Sequence, residues 1–172
     1  MRFLKLILIS IVALFVLMLF FSILMPSTVL VSRAIDINAP LDSIRYRVSD
    51  LNQWVYWVKG MRSNTVNIES AKKAQLGNSI VTVLEITDST IVMNWETNSS
   101  ALQKSTMHLI SHPGTTVSTV QWQFEQHLKW YPWEKLGSFM NDKILGPMME
   151  QNLLNLKHWT ENQPVDLASP NL

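Results

Sequence analysis

Two glutamates, Glu85 and Glu96, are the side chains of this sequence best suited to moving protons. Each lies in a short stretch with strand-like alternation, and the two stretches follow one another along the chain. A carboxylate that points into an apolar cavity has a raised pKa and can act as a general acid or base. A glutamate on the outward face of a strand stays ionised in water and does neither. The sequence therefore assigns no catalytic residue, and Glu85 and Glu96 stay candidates beside the interpretation that both face solvent.

The other reactive side chains form no pattern that would build a metal site or activate a nucleophile. The chain has no cysteine, and its four histidines occur in no HExxH or ExxH arrangement. His108 and His112 are four residues apart on a predicted strand, which would separate them by roughly 13 Å. No serine lies in a GxSxG elbow. We therefore expect no metal ion and no cofactor.

Seven tryptophans give the chain a large aromatic surface for its 172 residues. An indole offers a broad apolar face and one hydrogen-bond donor, so it suits a ligand cavity as well as a protein core. The candidate ligand-binding residues are four tryptophans, two methionines and one leucine: Trp54, Trp57, Met93, Trp95, Trp122, Met149 and Leu153. Taken singly, each of them is more often ordinary core than ligand contact, and both interpretations stay open.

The segment Trp130-Tyr131-Pro132-Trp133 places three aromatic rings beside a proline, directly before a predicted helix. Tryptophan and tyrosine favour the interface between a bilayer and water, because their rings have an apolar body and a polar edge. The same rings can instead pack beneath the last helix. The sequence leaves both placements open.

An uncharged, mostly apolar run from Leu6 to Met25 fills most of the N-terminus. As a helix with a rise of about 1.5 Å per residue it would extend roughly 30 Å, which is the hydrocarbon thickness of a bilayer. A signal peptide usually has an apolar core of only about 7–15 residues. We therefore expect one membrane-spanning anchor, and a long cleaved signal peptide is the alternative.

The charges beside this run predict its orientation. Arg2 and Lys5 precede the run, and the next basic residue is Arg33. Short segments that carry lysine and arginine tend to stay on the cytoplasmic side. We therefore expect a single-pass membrane protein whose N-terminus is cytoplasmic and whose remaining chain is extracytoplasmic, in the periplasm if the protein is bacterial.

Composition divides the chain into an anchor over 1–28, one domain over 29–162 and a flexible tail over 163–172. The domain has the size of one ordinary fold, and the tail contains two prolines and few large apolar side chains. The whole chain has 14 basic and 13 acidic residues. Because nucleic-acid binding needs a clustered basic face, we expect no nucleic-acid partner. No feature of the sequence identifies a protein partner.

Apolar periodicity predicts an α+β fold for the domain. The predicted strands are 29–37, 65–70, 79–86, 91–95, 104–111 and 115–126. The predicted helices are a short one over 41–48, a helical segment or turn that begins at Asp50, and a long, broadly apolar one from Trp133 to about Glu161. Pro147 lies inside the long helix and should kink or restart it. A turn is predicted beside the basic pair Lys72-Lys73.

In this order the segments resemble the SRPBCC or START-like superfamily, also called the helix-grip fold, and within it the membrane-anchored bacterial proteins of the polyketide cyclase/dehydrase and lipid transport type. The resemblance rests on VSRAIDINAP at 31–40, VSDLNQWVYW at 48–57, TVQWQF at 119–124 and GSFMNDKILGPMMEQNLLNLK at 137–157. It covers nearly the whole chain, including the apolar span that ends at Pro26.

The resemblance implies a strongly curved antiparallel sheet around the long C-terminal helix, with an apolar cavity between them. It implies a membrane-tethered binding or carrier domain for a hydrophobic small molecule or lipid. The alternatives are a cavity enzyme of the cyclase or hydrolase type and a structural protein-interaction domain. If Met149 faces such a hollow, a tryptophan in its place would fill the hollow at a modest cost in stability.

Overall fold

One seven-stranded sheet and one long C-terminal helix form the domain, within the residues 2–24, 26–97, 100–128 and 131–162 that the computed structural model describes. The strands are β1 Thr28–Asn38, β2 Val66–Ser70, β3 Lys73–Leu76, β4 Ser79–Ile86, β5 Thr90–Thr97, β6 Ser100–Ser111 and β7 Val117–His127. The helices are α1 Arg2–Leu24, α2 Leu41–Ser49 and α3 Pro132–Asn162, with a 3₁₀ turn at Gln53–Tyr56. The predicted tail over 163–172 and Trp130 lie outside the described residues.

The strand order is β1-β7-β6-β5-β4-β3-β2, and every neighbouring pair is antiparallel. Each strand has one apolar face. On β7, for example, Val120, Trp122 and Phe124 are buried, while the residues between them are half-exposed. Register shifts in β4 and β5 mark β-bulges, which bend a strand and increase its twist. The apolar face of the curved sheet packs against α3.

The long helix α3 buries one side against the sheet and leaves another side in solvent. Met149, Leu153 and Leu156 are 0–1 % exposed, and their spacing of four and three residues places them on one helix face. Ile144 and Met148, which the sequence includes in a broadly apolar helix, are 64 % and 43 % exposed. The buried face of α3 is therefore narrower than its composition predicts.

Arg33 of β1 binds α3 on both sides of Pro147. Its Nε donates to Oε1 of Glu150 at 2.6 Å and its Nη2 donates to Oδ1 of Asp142 at 2.9 Å. These hydrogen bonds to Glu150 and Asp142 raise the pKa of the guanidinium. The guanidinium crosses α3 at Gly146, where a methyl group would overlap Nη2 of Arg33. Of the kink or restart predicted at Pro147, the restart does not occur, since a single helix continues through the proline and Arg33 bridges the turns before and after it.

The C-terminal end of α1 contacts the first turn of α3. Nζ of Lys135 donates a hydrogen bond of 2.6 Å to the carbonyl oxygen of Ser22, and both residues are 4 % exposed. Ser22 belongs to the last turn of α1, whose carbonyls have no partner inside the helix, and a cation is favourable at that end of a helix. From Lys5 to Leu24, α1 is long and apolar enough to cross a membrane, a test that a signal sequence also passes.

The predicted fold class is confirmed: the domain is α+β, with a curved antiparallel sheet around a long C-terminal helix and one apolar helix before it. The six predicted strands are all present with slightly different ends. The prediction missed β3, which begins at Lys73, directly after the turn predicted beside Lys72-Lys73. Ala74 is the buried residue of this four-residue strand, which is too little for an apolar alternation. Hydrogen bonds to β2 and β4 on its two sides hold it as a strand.

Candidate functional site

Three tryptophans form the centre of the core between the sheet and α3. The ring centroid of Trp54 lies 5.3 Å from that of Trp57 and 6.2 Å from that of Trp122. Nε1 of Trp54 donates to the carbonyl of Val48 at 3.0 Å, and Nε1 of Trp122 donates to Oγ of Ser105 at 2.7 Å. The hydrogen bonds orient the rings, and ring contacts of this kind add about 0.5–1.5 kcal/mol each beyond the buried area.

The seven predicted ligand-binding residues all lie in or against this core. Six of them are 0–1 % exposed: Trp54, Trp57, Met93, Trp122, Met149 and Leu153. Protein atoms therefore enclose these six side chains almost completely. Trp95 differs from the other six because it is half-buried. Among the predicted residues, Trp57 also lines an open pocket of about 290 Å³ together with the loop that follows it.

The loop after Trp57 closes the part of the interior that is distant from α1. Asn152 of α3 is 1 % exposed, and its Oδ1 accepts a hydrogen bond of 2.9 Å from the backbone N–H of Lys59. Nδ2 of Asn155 donates to the carbonyl of Trp57 at 3.1 Å. Asn152 is 17 residues beyond Lys135 on the same helix, which corresponds to roughly 25 Å. These hydrogen bonds fix the loop on α3 well away from the contact with α1.

A row of four inward side chains lies at the opposite end of the sheet, where β1 begins beside α1; we call this the anchor end. Backbone pairing places Trp95, Gln103, Gln126 and Val29 side by side on β5, β6, β7 and β1. Each of the four lies two residues along its strand from a buried side chain, so each is on the inner face. Two amides and one indole N–H are thereby directed into an otherwise apolar interior.

A small, partly enclosed cavity of about 10 Å³ lies at the anchor end, which is roughly the room for one water molecule. Trp95 does not line this cavity but contacts the lining residue Phe124, with the two ring centroids 5.3 Å apart. Nε1 of Trp95 is buried, and the described part of the chain offers it no hydrogen-bond acceptor. An unsatisfied buried donor costs about 1–3 kcal/mol, so a polar ligand atom placed here would be stabilised. The cavity is lined by Val29, Val31, Gln103, Phe124, Glu125, Gln126 and Leu145.

Arg47, a buried cation, lies on the inward face of the short helix α2. It is 2 % exposed, and burial lowers the pKa of its guanidinium. Its Cζ is 4.0 Å from the ring centroid of Trp159, a ring that also stacks on Tyr56 at 4.9 Å. A cation over an indole is worth about 0.5–2 kcal/mol. Arg47 thus fastens α2 to α3, which is a structural role.

The two catalytic candidates lie at opposite ends of the β4–β5 pair. Glu85 pairs with Val92, and Glu96 pairs with Ile80. Both glutamates are exposed, and Glu96 accepts a hydrogen bond of 3.3 Å from Nδ2 of Asn94. Five residues separate Ile80 from Glu85, so the two carboxylates lie roughly 17 Å apart. The structure does not bring them together as an acid–base pair.

Histidines on the outer surface make hydrogen bonds that need no metal. Nε2 of His112 lies 2.8 Å from Oγ1 of Thr119, which donates to Oδ1 of Asp36 at 2.6 Å. Nε2 of His127 lies 3.4 Å from Oε1 of Glu125. Within the described ranges, no three histidine, aspartate or glutamate residues are grouped as metal ligands.

Sequence reasoning did not select Gln103, Gln126 and Leu145, although a signal for the first two was available. On β7 the alternation that buries Trp122 and Phe124 also puts residue 126 inside. The same count from Met107 puts Gln103 inside β6. Glutamine is mostly exposed in proteins, so its residue type indicates an outward side chain even where the alternation of the strand indicates an inward one. Leu145 carries no comparable signal, because its position depends on how α3 lies on the sheet.

Comparisons with known proteins add the fold relationship. No family model and no curated protein matches the chain. A START superfamily protein from Mycobacterium smegmatis has a similar structure, with a TM-score of 0.58 and 16 % identity over 77 % of this chain and 97 % of that chain. The fold is START-like.

Two further solved structures have a similar fold. A protein from Nitrosospira multiformis has a TM-score of 0.59 and 10 % identity, covering 76 % of this chain and 95 % of that chain. A di-domain ARO/CYC protein from the steffimycin biosynthetic pathway has a TM-score of 0.57 and 8 % identity, covering 79 % of this chain and 51 % of that chain. The resemblance to the START-like, helix-grip superfamily predicted from sequence is confirmed at the level of the fold. Identities this low carry the fold and leave the function to the site.

Proposed function

We propose that this protein is a membrane-tethered binding or carrier domain for a hydrophobic small molecule or lipid, held between the sheet and α3 at the anchor end. The observation that carries the proposal is the buried Nε1 of Trp95, which has no acceptor among the described residues and whose ring contacts Phe124 in the lining of the small cavity. Ligand sites combine an apolar lining with a few convergent polar groups. Gln103 and Gln126 supply two more such groups in the same row.

The chemistry of the row limits the ligand. An indole N–H only donates, so it requires an acceptor such as a carbonyl, ester or hydroxyl oxygen. The two glutamine amides can both donate and accept. We therefore propose an apolar ligand with one oxygen-bearing end, and that end lies against Trp95. The present cavity of about 10 Å³ is too small for it, so binding requires α3 or neighbouring side chains to move outward.

The cavity-enzyme alternative receives less support from the site. Glu85 and Glu96 are both exposed and stand at opposite ends of their strand pair. General acid–base catalysis requires hydrogen-bond reach to the reacting atom. A protein-interaction domain becomes the better proposal if the protein carries no ligand.

We propose that α1 spans the membrane, with its N-terminus in the cytoplasm and the START-like domain outside. The support is the length of the apolar stretch and the basic residues that precede it. Because the chain has no cysteine, an introduced one is labelled selectively. A membrane-impermeant thiol reagent should label Ile110→Cys from the extracytoplasmic side. Labelling only after the inner membrane is permeabilised would reverse the orientation.

The ligand proposal is tested with two matched substitutions, Trp95→Phe and Trp122→Phe. Both keep an aromatic ring and remove an indole N–H, but Nε1 of Trp122 bonds Ser105 at 2.7 Å whereas Nε1 of Trp95 has no described acceptor. Trp95→Phe should therefore destabilise the unliganded protein less than Trp122→Phe does. We expect the two costs to differ by about 1 kcal/mol or more. It should also lower ligand retention about five- to tenfold, which corresponds to one hydrogen bond.

The measurements are urea unfolding and native mass spectrometry of the detergent-extracted protein, in which co-purified ligand is quantified. If wild-type protein carries no apolar ligand and binds no environment-sensitive apolar dye, the carrier proposal fails. If ligand is present but both variants retain it equally, the ligand lies elsewhere than at Trp95.

A further inference from the structure

A stacked aromatic pair, the half-buried Tyr131 and the exposed Trp133, lies at the start of α3. Trp133 is 61 % exposed, and its ring stacks on that of Tyr131 with centroids 4.9 Å apart and planes 11° apart. The two stacked rings thus form one compact aromatic unit. Tryptophan and tyrosine are enriched at membrane–water interfaces, where such rings are favoured over either bulk phase.

The position of this pair relative to α1 identifies its surroundings. Lys135, two residues after Trp133, is bonded to the carbonyl of Ser22 near the end of α1. The residues that follow on α1 are strongly exposed: Ile23 is 82 % exposed and Leu24 is 66 % exposed. Large apolar side chains with such exposure mark a surface that lipid or another protein covers. Trp133 therefore lies within one helical turn of the residue that contacts the end of the anchor.

The junction also limits how far the domain can move away. The backbone N–H of Leu128 donates to the carbonyl of Ser27 at 2.7 Å, which ties the end of β7 to the segment after α1. Together with the Lys135–Ser22 bond, this holds the start of α3 next to the anchor. The aromatic pair therefore lies close along the chain to the contact between α3 and the end of α1.

We propose that Tyr131 and Trp133 insert into the headgroup region of the bilayer that α1 crosses, and that they hold the anchor end of the domain against the membrane. This inference rests on the proposed membrane tethering. It assigns the lipid surface as the partner of the pair. This contact would place the anchor end of the domain, and with it the small cavity lined by Leu145, next to the bilayer.

The test uses the full-length chain in lipid nanodiscs, with a fluorescent probe on a single cysteine. The test variant is Trp133→Cys, and the matched control is Ile110→Cys, an apolar site that is 46 % exposed. Ile110 pairs with Thr119, and Thr119 pairs with Asp36, eight residues from the start of β1, so the control lies roughly 26 Å from the anchor end. Nitroxide-labelled lipids should quench the probe at position 133 several-fold more than the probe at position 110.

A second measurement keeps the native ring. Nitroxide lipids should quench part of the tryptophan emission of the wild-type chain, and Trp133→Phe should remove that quenched part. Equal, weak quenching at positions 133 and 110, with no change in Trp133→Phe, would overturn the inference. Extraction of the chain by alkaline carbonate separates the two failures: an extracted chain refutes the tether itself, whereas an integral chain with an unquenched probe refutes the docking alone.

Discussion

Replacing Trp54 by alanine is expected to lower the free energy of unfolding by about 3–5 kcal/mol, the range for a fully buried large aromatic side chain. Trp54 is 0 % exposed, and its ring contacts Trp57, Trp95 and Trp122. Its Nε1 also donates to the carbonyl of Val48. The substitution leaves a cavity and an unpaired carbonyl together. Since small domains have about 5–15 kcal/mol of stability in total, much of the protein should be unfolded at moderate temperature.

The same change at an exposed tryptophan is the control for this prediction. Trp133→Ala removes a ring that is 61 % exposed and should cost at most about 1 kcal/mol. Urea unfolding of the detergent-extracted chain, followed by far-ultraviolet circular dichroism, compares the two variants without relying on tryptophan emission. Similar midpoints for Trp54→Ala and Trp133→Ala would mean that the tryptophan cluster does not hold the core.

Met149→Trp is expected to destabilise the domain by about 1–3 kcal/mol or more, because a larger side chain in a close-packed site forces its neighbours apart. A hollow beside Met149 would instead predict a modest cost, which is the sequence-based expectation. Met149 is 0 % exposed, and this close packing is the reason for expecting the larger cost.

Leu145→Trp is the matched substitution one turn earlier on α3. Leu145 is half-buried and lines the cavity at the anchor end, so an added indole can extend outward and occupy the ligand space. We expect a small change in the midpoint of unfolding and a loss of dye or lipid binding. If Met149→Trp is tolerated and abolishes binding while Leu145→Trp leaves binding intact, the ligand lies beside Met149, as the sequence first indicated.

The strands could be predicted from sequence because their inward residues alternate with polar ones. Val120, Trp122 and Phe124 give β7 a pattern that one residue of shift would turn inside out. β3 could not be predicted in this way, because Ala74 is its buried residue and its pairing with two neighbours makes it a strand. Alternation indicates which residues of a strand face inward. It does not indicate which segments become strands through hydrogen bonds to their neighbours in the sheet.

The candidate site could be predicted only in part, for a related reason. An inward tryptophan or methionine has the same pattern whether it adjoins a void or another side chain. Trp54 and Met149 have close neighbours on every side, and Trp95 has an unsatisfied N–H instead. That difference depends on how α3 and the loop after Trp57 pack against the sheet. The apolar periodicity of the sequence carries no information about that packing.

The connection between α1 and β1 determines how any cargo would travel. Helix α1 ends at Leu24 and β1 begins at Thr28, so even a fully extended link would span only about 14 Å. A domain on so short a link cannot cross the space between two membranes as a free shuttle does. If α1 is the membrane tether and the domain carries a ligand, as we propose, the domain would exchange that ligand only with the adjacent leaflet or with a second protein that comes to that leaflet. The proposed function is therefore local exchange, and transport over a longer distance would need another molecule.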